Sequence, residues 1–153
     1  MTRNDVFVVR RAAEKDVDGI ERLASLHGSY PWRSCQIINE LRQAHAFLFC
    51  AEVEECLVGF ANMHIVLESA HINDIAVAEE FRRRGVGTGL LNACISAAAA
   101  RKCVEISLEV RQKSAAARGL YESVGFVPAG VRKGLYDNPR DDAVVMIMDL
   151  NKE

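Results

Sequence analysis

The sequence predicts an α/β domain, and three observations carry that prediction. Short runs rich in β-branched and aromatic residues alternate with segments whose apolar residues recur at helical spacing. Glycine stands just past two of those helical segments, at Gly28 and Gly125, where a helix C-terminus favours it. A strand-like run passes through an Arg-and-glycine loop into a helix and then another strand, which is the sequence form of a parallel crossover. At 153 residues the chain is long enough for a single domain with a real core, and no linker divides 1–153.

Residues 6–9 form the first expected strand, with Arg10 and Arg11 after it. Asp16 is expected to cap a helix carrying Val17, Ile20, Leu23, Ala24 and His27, which stops at Gly28. Tyr30, Pro31 and Trp32 then break the chain, because proline fixes its φ. Ser34 reads as the cap of a second helix through Ile37, Ile38 and Leu41. Residues 47–53 and 56–66 read as strands joined at Glu54 and Glu55, and Gly59 marks a bulge or a close approach. Residues 70–77 are the next strand, with Ile72, Asp74 and Ala76 on one face and Asn73, Ile75 and Val77 on the other. The third helix carries Leu90, Leu91, Cys94, Ile95 and Ala98 on one side, and its alanine run 97–100 suits packing on a sheet. In the strand 104–110, Val104, Ile106, Leu108 and Val110 share a face, opposite Glu105, Ser107, Glu109 and Arg111. Ser114 is expected to cap a fourth helix with Ala117, Leu120, Tyr121 and Val124, ended by Gly125. Residues 126–127, 131–136 and 143–150 read as closing strands, the last two joined by an Asp-rich loop.

Composition narrows the function. A net charge of −2 gives no overall pull towards nucleic acid or an anionic membrane. The cysteines, Cys35, Cys50, Cys56, Cys94 and Cys103, form no C-x-x-C pair and no zinc spacing, so no metal site is expected. An odd number of thiols in largely apolar surroundings fits a reduced, cytoplasmic protein. No secretory signal is expected ahead of the first strand, and no apolar run is long enough to span a bilayer.

The chemistry centres on residues 72–91. Arg82, Arg83 and Arg84 precede Gly85, Gly87 and Gly89 at the start of the third helix. The N–H groups of a first helical turn lack internal partners, and the helix dipole places positive charge there. A glycine loop opening a helix is therefore an anion site, read here as a diphosphate cradle. A plain turn, a solvated cationic face or a nucleic-acid patch are the other readings of the same residues. The loop lacks the Lys-Ser/Thr of a P-loop and the spaced third glycine of a dinucleotide fold.

R-R-R-G-V-G-T-G-L-L, from Arg82, resembles the acetyl-CoA pyrophosphate loop of the GNAT N-acetyltransferases. L-E-V-R and S-A-A-A-R-G-L-Y-E-S-V-G-F are similar to the second half of that fold. Y-P-W-R-S and D-D-A-V-V-M-I-M resemble segments of the branch that acetylates the N-terminal alanine of bacterial ribosomal proteins. The resemblance implies the GNAT acetyltransferase fold, a mixed central sheet of about seven strands flanked by about four helices. It implies acetyl-CoA as co-substrate and a protein N-terminus, that of a ribosomal protein, as acceptor. By position, Ile75, Ala76 and Val77 match the strand that pairs with the pantetheine arm. Arg83, Arg84, Gly85, Val86, Gly87 and Thr88 match the pyrophosphate loop. Glu109 matches the general base and Tyr121 the general acid, and Trp32 and Tyr136 fall beside the acceptor cleft. Ser114 stands where relatives usually carry an Asn that touches CoA, and its hydroxyl reaches less far.

Amine acetylation needs a neutral nucleophile. An α-amine titrates near ~7.7–8.0 and a lysine amine near ~10.4, so the α-amine needs only a modest base. A phenol near ~10 does not protonate a thiolate near ~8.5 downhill, so a tyrosine acts mainly by hydrogen-bonding the leaving sulfur. No cysteine lies in either motif, which favours direct transfer in a ternary complex over an acetyl-cysteine. Two further readings stand beside this one: an acetyltransferase of a small amine such as an amino sugar or polyamine, and a CoA- or nucleic-acid-binding module without turnover.

Overall fold

The structure, a computed structural model, describes residues 6–27 and 31–151. Its strands are β1 (Val8–Arg11), β2 (Ala46–Val53), β3 (Cys56–Val66), β4 (Ser69–Val77), β5 (Glu105–Arg111), β6 (Val127–Tyr136) and β7 (Asp141–Asp149). Its helices are α1 (Val17–His27), α2 (Ser34–Arg42), α3 (Val86–Ala100) and α4 (Ala115–Val124). The strands form one sheet in the order β1-β2-β3-β4-β5-β7-β6. Neighbours run antiparallel except β4 and β5, which are parallel and joined through α3. This is the mixed sheet flanked by helices that the motifs imply.

The two faces of the sheet carry separate cores. Leu90, Leu91 and Cys94 of α3 and Tyr121 of α4 pack with Met63, Ile72, Ile106, Leu108 and Phe126. On the opposite face, Ile20 and Leu23 of α1 and Ile37 of α2 pack with Leu48, Cys50, Phe60 and Ala76. Full burial of such a side chain is worth about 1.5–3 kcal/mol, so the apolar stripes read from the sequence account for how both layers dock. The alanine run ends α3 with Ala98 fully buried against the sheet.

Several boundaries differ from expectation for local reasons. The first strand begins two residues later than residues 6–9 and includes both arginines. Arg10 is held there by two 2.8 Å bonds to the Asp16 carboxylate and one of 3.2 Å to Glu52, while Arg11 lies 4.6 Å above the Phe47 ring. Asp16 ends a short 3-10 turn, and its carboxylate accepts backwards from the Ala13 N–H at 2.8 Å rather than capping α1 forwards. Ser34 is the first residue of α2 and Arg33 its cap position. The Arg33 N–H donates to Gln36 Oε1, and the Ser34 N–H donates to Glu21 of α1. Ser114 occupies the cap position of α4 without a side-chain cap bond. The expected strands at 126–127 and 131–136 are one strand, β6, interrupted by register shifts, and Phe126 is a core residue ahead of it. Gly28, the expected helix stop, and Tyr30 lie outside the described residues.

Gly59 fulfils both readings. The β2–β3 register slips between Ala51↔Gly59 and Glu52↔Leu57, and a Cβ on Gly59 would lie 3.0 Å from the Ala76 carbonyl.

A second slip governs the site. β3 and β4 pair Asn62 with Asp74 but Met63 with Ile72, so Asn73 is an inserted residue. One extra residue reverses the side-chain alternation. Ile72 therefore packs on the α3 side and Ala76 on the α1–α2 side, which corrects the expectation that they share a face.

Candidate active site

Beyond the Asn73 bulge, β4 and β5 separate. Their ladder runs from Ser69↔Glu105 to Ile72↔Leu108 and stops, although both strands continue. The opening between Ile75–Val77 and Glu109–Arg111 leads into a cavity of about 910 Å³. The first turns of α3 and α4 both border it, through Gly85, Gly87 and Thr88 on one side and Ser114, Ala115 and Ala117 on the other.

The start of α3 is shaped by its glycines for different reasons. Gly85 has φ +87°, the left-handed conformation that side chains resist, and its carbonyl accepts the Gly89 N–H at 2.9 Å to start the helix. At Gly87 a Cβ would lie 2.9 Å from Leu120 Cδ2 of α4, so a larger residue there displaces the tip of that side chain. Arg82 and Arg83 both line the cavity. Arg82 also donates to the Val77 carbonyl at 3.1 Å, and Arg84 lies 5.3 Å above the Phe81 ring, outside the cavity lining. Val86 turns its side chain into the core, so the first helical turn offers the cavity its backbone rather than that side chain. Lys113 and Arg111 add positive charge from the β5 side. The chemistry of these donors, two helix N-termini and four cationic side chains about an elongated opening, fits a diphosphate attached to an extended arm.

Glu109, Tyr121 and Tyr136 also line this cavity. Tyr121 is carried by the face of α4 turned to the sheet, edge-on to Phe126 with ring centroids 6.2 Å apart. Burial, reinforced by the negative charge of Asp74, pushes its phenol pKa up, so the hydroxyl stays protonated and keeps a proton to donate. Glu109 accepts from Arg132 Nη1 at 2.8 Å. Arg111, which shares that face of β5, is engaged elsewhere: it donates to the carbonyls of Pro139 at 2.7 Å and Asp137 at 3.1 Å and stacks 4.5 Å above Tyr136. Arg111 thus ties the closing hairpin to β5 and fixes Tyr136 over the opening. Tyr136 is half-buried, and its own phenol pKa is raised, by burial first and then by Glu109.

A second cavity, of about 410 Å³, adjoins the first and shares Glu109, Arg111 and Tyr136 with it. His71, Ile72, Asn73, Leu135 and Asp137 complete its wall. Trp32 lines neither cavity. Its indole N–H donates at 3.0 Å to the buried Asp74 carboxylate. The sequence reading missed Lys113, His71 and Arg132. His71 and Arg132 meet their partners across strands, where no local spacing betrays them. Among the described residues no helix is long and apolar enough to cross a membrane, and no group of three His, Cys, Asp or Glu side chains is placed to hold a metal ion.

Known proteins match this arrangement. The Acetyltransferase (GNAT) family matches residues 15–126. The [ribosomal protein bS18]-alanine N-acetyltransferase of Salmonella typhimurium is 37% identical over 100 residues, covering 64% of this chain and 68% of that protein. The enzyme of the same name from Haemophilus ducreyi is 29% identical over 146 residues, covering 94% of this chain and all of that protein. The crystal structure of the ribosomal-protein-S18-alanine N-acetyltransferase of Escherichia coli superposes with a TM-score of 0.86 at 26% identity, covering 97% of this chain and 96% of that one. With the family match spanning most of the sheet and both helices that border the larger cavity, the chain belongs to the GNAT acetyltransferases, enzymes whose donor is acetyl-CoA.

Proposed function

We propose that this enzyme acetylates the N-terminal α-amine of a protein, the acceptor being the alanine-initiated N-terminus of a ribosomal protein in the cytoplasm. The observation that carries the reading is the shared wall at Glu109. One cavity fits the donor, the other is open to solvent and of a size for a chain end, and Glu109 and Tyr136 face both. The names of the relatives point to the same acceptor. Acetyl-CoA, when bound, supplies the thioester carbonyl.

The residues of the chain do the rest. Gly85, Gly87, Thr88 and Arg83 hold the diphosphate, and Ile75, Ala76 and Val77 present the unpaired strand edge to the pantetheine arm. Ser114, whose side chain is not spent on capping α4, offers a further hydroxyl there. Arg84 contributes field rather than contact, and Val86 contributes its backbone. Glu109 takes a proton from the attacking nitrogen, and Tyr121 donates a hydrogen bond to the departing sulfur. Tyr136 closes the opening over the reacting atoms. Trp32 acts on the acceptor side indirectly, by fixing the Asp74 side chain of β4.

A polyamine or amino sugar would need an acidic pocket. The smaller cavity carries Glu109 and Asp137, but Arg111 lines it as well and Arg132 already pairs with Glu109, which favours a singly charged chain end. The test is a screen of N-terminal peptides with acetyl-CoA, read by mass spectrometry. Acetylation on the α-amine of alanine-initiated peptides, with lysine side chains unmarked, is expected. Acetylation of free polyamines with none on peptides would overturn the assignment of acceptor.

A further inference from the structure

Two turns border the two cavities, and neither holds itself in place. Lys113, Ser114 and Ala115, where α4 opens, border the larger cavity; Leu135, Tyr136 and Asp137, where β6 turns into β7, border the smaller. Ser114 makes no side-chain cap bond, so the start of α4 lacks its usual local anchor. β6 is an edge strand, exposed along nearly all its length. Its ladder with β7 skips from Arg132↔Ala143 to Tyr136↔Asp141, and Gly134, inside the gap, has φ +64°.

Two neighbouring carboxylates of β7 anchor both turns. Asp141 is buried, only 6% exposed. Its Oδ2 accepts the Lys113 N–H at 3.0 Å, and its Oδ1 accepts the Asp142 N–H at 2.8 Å. Burial strips a carboxylate of its hydration, and N–H donors to a charged oxygen offset that loss, so these bonds hold firmly. The Asp142 carbonyl accepts the Gln112 N–H at 2.9 Å. The Asp142 side chain faces the other way: Oδ1 accepts the Gly134 N–H at 2.8 Å, replacing the rung that the ladder omits.

We propose that Asp141 and Asp142 are positioning residues that carry donor occupancy to the acceptor cavity. The proposal rests on the acetyltransferase reading above. Acetyl-CoA gripped by the first turn of α4 fixes Gln112 and Lys113; their N–H groups fix Asp141 and Asp142; and Asp142 fixes Gly134, beside Leu135 and Tyr136. Arg111 also reaches this hairpin, through the carbonyls of Asp137 and Pro139. It does so from β5, a central strand set by its ladders to β4 and β7, so that tie is the same with or without donor. Coupling of this kind is reciprocal: the factor by which the donor tightens the acceptor is the factor by which the acceptor tightens the donor.

The test is calorimetric binding of an alanine-initiated peptide with and without saturating CoA, a pair that cannot turn over. CoA is expected to tighten peptide binding to the wild-type chain about 10-fold, and peptide to tighten CoA binding equally. Asp141→Asn turns one oxygen into an N–H donor facing another N–H, and is expected to cut that gain below about 2-fold. Asp142→Ala loses the Gly134 bond but keeps the carbonyl that holds Gln112. The same loss of gain is expected there, with CoA affinity in the absence of peptide within about 3-fold of wild type. Should Asp141→Asn not fold, Asp142→Ala decides alone. A lowered melting temperature with the full gain retained would make the carboxylates purely structural and overturn the role, as would a wild-type gain under about 2-fold. Transfer by the wild-type chain to no amine would instead remove the acetyltransferase reading itself, whatever the variants do.

Discussion

Tyr121 is the residue whose role the geometry isolates best. Its ring is core, edge-on to Phe126 and carried by α4, and the residue borders the cavity. Tyr121→Phe therefore deletes a single donor with little repacking. In steady-state kinetics kcat should fall about 100-fold with KM for acetyl-CoA changed less than about 3-fold. An unchanged kcat would reduce Tyr121 to a packing aromatic. The local patterns of Tyr121 and Glu109, one in a helix stripe and the other on the polar side of an alternating strand, place each on its element and face, and only the resemblance of their motifs marks them as site residues. The partner of Glu109 was not legible in the sequence. Arg132 is 23 positions away and reaches Glu109 across β7, and nothing in the composition of either strand favours it over the adjacent Arg111.

The α3 entry is the element where sequence and geometry agree most closely, and where three glycines that look alike prove different. Gly85 alone needs a positive φ, and the nearest atom to a Cβ there is 3.8 Å away, so Gly85→Ala meets strain without a clash. That strain is about 1–2 kcal/mol. The expected result is a melting temperature lower by roughly 2–8 °C and a raised KM for acetyl-CoA, because the first turn of α3 is displaced. A melting temperature equal to wild type would mean that the loop adopts another conformation without cost. Apolar periodicity was enough to place four helices and the strands. It could not reveal the Asn73 insertion, because a bulge is a property of the β3–β4 ladder, and β4 taken alone reads as regular alternation. The α-helix caps were misread at Asp16 and Ser34 for a related reason: Arg10, Ala13 and Glu21 compete for those groups, and only tertiary placement decides the winner.

For the molecule as a whole, two buried thiols set an alkaline limit. Cys50 and Cys94 belong to opposite cores, and burial raises each from the usual 9.0 to about 12. Both thiols titrate near 9 once unfolded, so this contribution is fully present below pH 9 and is lost as pH rises towards 12. The wild-type melting temperature should fall steeply between pH 9 and pH 11, and Cys94→Ala, although less stable at pH 7, should fall less steeply. Parallel slopes by circular dichroism would assign the alkaline loss to other groups. The parting of β4 from β5 has a consequence on the same scale. The sheet is a ladder with missing rungs between residues 73–77 and 109–111, and a donor with its own amides can supply them. Such a ligand finishes the architecture as well as occupying it. Acetyl-CoA should accordingly arrive before the peptide, CoA should depart last, and donor at 100 times its dissociation constant should stabilise the chain by about 2.7 kcal/mol.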